Sequence, residues 1–188
     1  MLTIQIVIYF SISFFLSEFV LMIVKRSGKY GTKTKNDRKS LALFWVTIPL
    51  SLTAGFFMAN YQEWNSWNSR IAIFGLAVFV VGIIIRWVSI IQLNKEFTVD
   101  VAIIKNHQLK TNGMYKYLRH PSYLGLLLIC FGLAIAMNSI LSFIVITIPV
   151  SFAMNYRIKA EENILMKQFG EVYENYRLKT HKVIPKLY

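Results

Sequence analysis

Apolar residues fill the first stretch of the chain, "MLTIQIVIYFSISFFLSEFVLMIV", where Glu18 is the one charged side chain, and a block rich in Lys and Arg follows. The same alternation of apolar run and basic block recurs to the C-terminus. A helix needs about 20 apolar residues, at roughly 1.5 Å per residue, to cross about 30 Å of hydrocarbon. By that measure residues 1–24, 41–61 and 71–92 predict three spanning helices. Residues 121–136 and 140–155 lie near the lower length limit and are separated only by "MNS", so they predict two more spans in a tight antiparallel hairpin. Beyond them Ile158, Leu165, Phe169, Val172 and Tyr176 recur at steps of three, four and seven residues, the period of an amphipathic helix.

The expected fold is therefore an all-α integral membrane protein. It has five transmembrane helices, with helices 4 and 5 as a hairpin, and a cytoplasmic C-terminal amphipathic helix. No repeat or linker divides it, so residues 1–188 read as one domain: three N-terminal spans in 1–92, then a polar loop, the hairpin and the last helix in 93–188.

Charge orients these spans, because Lys and Arg concentrate in cytoplasmic loops. Seven fall in residues 25–39, five in 93–120 and seven from 156 onward, whereas Arg70 alone lies in the opposite loops. With five spans the N-terminus faces out, and the 93–120 loop and the C-terminus are cytoplasmic. The first run has no basic segment before it, which predicts a retained helix rather than a cleaved signal peptide. Tyr61, Trp64 and Trp67, flanking the second span, read as an outer interfacial belt.

Composition agrees with a membrane chain: 55% of residues are hydrophobic, 16% are charged and the mean hydropathy is +0.47. A formal net charge of +12 would raise nucleic-acid binding in a soluble chain. Here the basic residues sit between apolar runs and point to anionic lipid headgroups, with no nucleic-acid partner expected. Cys130 is the single cysteine and reads as a small core or lipid-facing side chain, leaving no intrachain disulfide or redox pair. There is no G-x-G-x-x-G, no phosphate loop and no H-E-x-x-H, and His107, His120 and His181 lack metal-ligand spacing, so no metal is expected.

Two polar clusters carry the candidate chemistry. In "HQLKTNGMYKYLRHPSYLG", residues 107–125, Gly113 marks a turn and Pro121 suits the first turn of a helix, where its missing N–H costs nothing. Arg119 and His120 then lie at the positive end of that helix and make either an anion site or an anchor for headgroups. In "NYRIKAEENILMKQFGEVYENY", residues 155–176, Arg157 and Glu161 are spaced for an ion pair, while Glu162 falls on the apolar stripe and needs a cationic partner. Arg86, inside the third span, faces either the bundle interior or the interface.

The order H-x-L-x-T-x-G-x-Y, R-H-P-x-Y-x-G, E-E-x-x-L-x-x-x-F-G-x-x-Y-x-x-Y and I-P closely resembles the isoprenylcysteine carboxyl methyltransferase family and, more distantly, phospholipid methyltransferases. The resemblance covers residues 86–185. It implies an enzyme that moves a methyl group from S-adenosyl-L-methionine to a lipophilic acceptor, without a soluble-type nucleotide fold. By this resemblance His107, Leu109, Gly113, Tyr115, His120, Tyr123 and Glu162 hold the cofactor. Arg119 and Arg157 face the acceptor, and with Glu162 they form the catalytic set. The acceptor is a lipophilic small molecule or a prenylated substrate, drawn from the membrane lipid phase. The chain is compact like prokaryotic members, which implies the cell inner membrane. Lys110 and Met114 stand where the family commonly has an apolar residue and a proline. Two other readings stay open: a phospholipid N-methyltransferase, and a non-catalytic lipid-binding membrane protein.

Overall fold

The computed structural model describes residues 2–24, 35–61, 68–94 and 109–184. Six helices occupy them: α1 (Leu2–Val24), α2 (Lys35–Tyr61), α3 (Ser69–Leu93), α4 (Pro121–Ala136), α5 (Ile140–Phe169) and α6 (Glu171–Lys179), with a 3₁₀ turn at Gly113–Lys116. The chemistry at the helix ends is local. Asn68 Oδ1 accepts from Arg70 N at 3.0 Å to start α3, and Ser139 Oγ accepts from Ser142 N at 3.3 Å to start α5. Pro121 opens α4, as its fixed φ favours. Residues 137–139 turn the chain directly from α4 into α5, and the expected hairpin is present.

Small residues bring α3 and α4 together. A Cβ on Gly82 would stand 2.7 Å from Gly125 O, and one on Gly132 would stand 2.6 Å from Gly75 O, so both contacts are backbone against backbone. Close approach of this kind drives helix association in lipid, where burial of apolar surface gives no net gain. Phe14, Leu52, Phe79, Ile129, Leu133 and Ile146 fill the shared core, and Cys130 is buried among them, on the core side of its two expected placements. Outward-facing Phe57, Phe74, Ile84, Ile91 and Phe152 are exposed, which suits a surface bathed in lipid.

The expectation of five spans is corrected. Among the described residues three helical stretches are long and apolar enough to cross a membrane, Lys39–Tyr61, Ser69–Leu93 and Ile140–Phe169. α4 has 16 residues, about 24 Å at 1.5 Å per residue, because Pro121 fixes its start and the turn after Ala136 its end. The apolar part of α1, Gln5–Leu21, is also short. The C-terminal amphipathic helix is corrected too. α5 runs unbroken for 30 residues through Phe169, and the break comes at Gly170, whose φ of 51° lies in the left-handed region. That break resets the helical register: Val172, expected on the buried stripe, is exposed, and Tyr173 is buried instead.

Three long apolar helices make the chain an integral, multi-pass membrane protein. Polar contacts gather at one end of the bundle. Arg157 of α5 reaches Ser40 of α2, and Arg86 of α3 reaches the first turn of α4 through Ser122 O.

Candidate functional site

The site is built where the 109–120 segment enters α4. Gly113 takes a φ of 62°, which lets the chain turn under Gln92 of α3. Met114 N then donates to Gln92 Oε1 at 2.9 Å, a bond that proline at this position could not make. Tyr115 is buried, its hydroxyl donating to Ser89 O at 3.3 Å and its carbonyl accepting from Tyr176 Oη at 2.6 Å.

The C-terminal tail locks the next residues by backbone pairing. Arg119 N donates to His181 O, His120 N to Lys182 O and His181 N to Tyr117 O, around a single bridge between Leu118 and His181. Val183 is buried beside Ile158 and Met154, which fastens the tail onto α5. Arg119 and His120 are thereby held on paired backbone, a condition for fixed site geometry.

Arg119 Nε donates to Glu162 Oε1 at 2.8 Å, and His120 Nε2 lies 3.4 Å from the same oxygen. Arg119 Nη1 also donates to Arg177 O and Thr180 O, satisfying carbonyls at the end of α6. Arg119 is thus the cationic partner that Glu162 requires on this half-buried helix face, with the His120 ring beside it. The ring of His120 meets that of Tyr123 edge-on at 5.7 Å, and Tyr123 meets Phe44 of α2 at 6.1 Å. Tyr123 also faces Glu161 and Arg157, and Arg157 Nη1 donates to Ser40 Oγ at 2.8 Å. Arg157, 2% exposed, is a guanidinium held inside the protein.

Burial raises the hydroxyl pKa of Tyr115, Tyr173 and Tyr176, the last to about 12, so all three remain neutral donors at physiological pH.

Of the expected site residues, Arg119, His120, Tyr123 and Glu162 form one continuous cluster, and Arg157 joins it through Tyr123. Tyr115 connects through Tyr176, Gly113 turns toward Gln92, and Leu109 is half-buried at the start of the segment. His107 lies outside the described residues, as do Trp64, Trp67 and Pro185. Arg86 resolves toward the interior: its Nε and Nη2 grip Glu18 of α1 at 2.5 and 2.6 Å. Sequence reading missed Ser40, Phe44, Gln92, Tyr173 and Tyr176 as contributors. For the two tyrosines the signal lay in their places within the E-E…Y-x-x-Y motif. Among the described residues no three His, Cys, Asp or Glu side chains come together as a metal site.

A family profile described as phospholipid methyltransferase matches residues 71–172, more than half the chain, including Arg119, His120, Tyr123, Arg157 and Glu162. The chain belongs to the phospholipid methyltransferase family. Within this methyltransferase family it is 28% identical, over 93% of its length, to protein-S-isoprenylcysteine O-methyltransferase B of Arabidopsis thaliana, and it covers 88% of that protein. It is 32% identical over 112 residues to protein-S-isoprenylcysteine O-methyltransferase of Schizosaccharomyces pombe, covering 48% of it. The solved structure of a eukaryotic intramembrane Ras methyltransferase, isoprenylcysteine carboxyl methyltransferase, superposes with a TM-score of 0.64 at 26% identity over 76% of this chain. This chain spans about half of that longer chain, 52%.

Proposed function

We propose that this membrane methyltransferase uses S-adenosyl-L-methionine to O-methylate the carboxylate of an isoprenyl-thioether or similar lipophilic acid. The observation that carries the reading is the presence of two opposite charges at one end of the bundle: a half-buried carboxylate, Glu162, bracketed by Arg119 and His120, and a guanidinium, Arg157, five residues earlier on α5 and fully inside. Isoprenylcysteine methyltransferases among its relatives support the acceptor class.

The residues fit the cofactor. Arg119 and His120 share Oε1 of Glu162, which leaves Oε2 to receive an ammonium group. The start of α4 suits the carboxylate of the same molecule. When bound, S-adenosyl-L-methionine supplies an electrophilic methyl group, which a carboxylate oxygen takes as the carbon–sulfur electron pair returns to sulfur. Arg157 orients the acceptor carboxylate through parallel N–H donors, and Arg119 fixes Glu162. No general base is required, because a carboxylate is ionised at neutral pH. Phe44 and Tyr123 wall the site with aromatic surface and keep water from it.

The cluster faces the cytoplasm in this reading, because the Lys and Arg blocks flank this end of the helices, and the C-terminus lies there too. Residues 1–188 act as one methyltransferase domain, in the inner membrane of a prokaryotic cell. The family profile itself favours a second reading, N-methylation of a phospholipid amine. Such an amine must lose a proton before it attacks, and a buried arginine opposes a cationic acceptor. Membranes containing the chain, incubated with methyl-labelled cofactor, separate the two: alkali-labile methyl ester supports the acid, and alkali-stable label on a headgroup supports the amine.

A further inference from the structure

The Tyr173 side chain is wholly buried, 0% exposed, yet among the described residues its hydroxyl makes no well-formed hydrogen bond, the Glu162 carboxylate being a loose partner at most. Buried hydroxyls are normally paired, and an orphan calls for a specific explanation. The charged groups facing it are Glu162, Glu161 and Arg119, so the hydroxyl looks into the same polar cluster that receives the cofactor in the reading above. Its neighbour Tyr176, on the same short helix, shows the contrast: that hydroxyl is consumed structurally, donating to Tyr115 O.

We infer that Tyr173 is a ligand-binding residue whose hydroxyl hydrogen-bonds the amino-acid end of S-adenosyl-L-methionine beside Glu162. The inference rests on the cofactor assignment and adds a contact that helix periodicity had hidden, because the Gly170 break turns Tyr173 inward where Val172 was expected. A phenol is suited to this position. It stays protonated, since burial and the two carboxylates both raise its pKa, and it can donate to a carboxylate or accept from an ammonium. The ring carries the packing, and the hydroxyl carries the recognition.

Tyr173→Phe isolates that hydroxyl while keeping the ring. Calorimetry on the purified full chain in lipid nanodiscs, with three probes, reads the outcome. S-adenosyl-L-methionine and S-adenosyl-L-homocysteine should bind Y173F about tenfold more weakly than the wild type, the effect of one lost hydrogen bond to a charged group. Methylthioadenosine, which lacks the amino-acid end, should bind both proteins equally. Ligand-free Y173F should melt no lower than the wild type, since an unpaired buried hydroxyl is removed. Equal weakening for all three probes, or wild-type Kd values with a lowered melting temperature, would overturn the inference and leave the cofactor assignment standing. Failure of the wild type to bind any of the three would sink both.

Discussion

Arg119 Nε donates to Glu162 Oε1 at 2.8 Å, joining the loop before α4 to α5 across 43 residues of sequence. His120 approaches the same oxygen, so one carboxylate ties the two sequence clusters into one site. Replacing Glu162 by Ala leaves Arg119 and His120 without their acceptor. The variant should lose detectable binding of S-adenosyl-L-methionine in calorimetry and about 3 kcal/mol of stability, the penalty for breaking a largely buried pair. Glu162→Gln keeps an acceptor oxygen for Arg119, and should recover part of the melting temperature but not the binding.

Arg157 contributes differently, because it lies on the far side of Tyr123 and donates to Ser40 rather than to Glu162. Arg157→Ala should retain cofactor affinity within about threefold. Its methyl-transfer rate should fall by roughly 100-fold, the scale seen when one positioned donor to a reacting oxygen is removed. Calorimetry and single-turnover labelling on the same preparation check the split. Parallel loss of both would place Arg157 in the cofactor pocket.

The bundle beneath the site depends on backbone contact between α3 and α4. At Gly125 an added Cβ would stand 2.5 Å from Arg86 N and 2.8 Å from its Cα, and backbone cannot step aside as a side chain can. Gly125→Ala should therefore destabilise the protein by about 2 kcal/mol or more through overpacking, measured as a lowered melting temperature in detergent. Gly170→Ala serves as the contrast. It meets nothing within 4 Å and bears only the strain of its positive φ, about 1 kcal/mol.

Met114 answers to Gln92. The bond from Met114 N to Gln92 Oε1 gives a reason for a residue with an N–H where the family commonly has proline. Met114→Pro should cost about 1 kcal/mol in the wild type and much less in a Gln92→Ala background. Additive costs in that double-mutant cycle, read by thermal unfolding, would remove Gln92 from the account.

Much of this architecture was legible in the letters. Pro121 announced the start of α4, "MNS" announced the hairpin, and Glu162 on an apolar stripe announced a hidden cation. Span number was not legible from hydropathy alone, since a run of sixteen apolar residues reads as a marginal span until its proline start and its turn are seen together. Arg86 could not choose between interface and interior until α1 was placed beside α3 with Glu18 facing it. The tail was invisible for another reason. It is fixed to residues 117–120 through backbone groups, which every sequence possesses, and only the fold decides which of them pair. Tyr173 was hidden by a single left-handed residue, Gly170, after which Val172 is exposed and Tyr173 buried, while Tyr176 keeps its expected burial.

Methyl transfer to a lipophilic carboxylate can be read directly from the products. Purified protein in nanodiscs, given S-adenosyl-L-methionine and either a farnesyl-thioether carboxylic acid or its primary amide, tests it by mass spectrometry of the products. One methyl ester on the acid and no change in the amide is the expected result. An unmethylated acid, from protein that methylates phosphatidylethanolamine in the same assay, would contradict it.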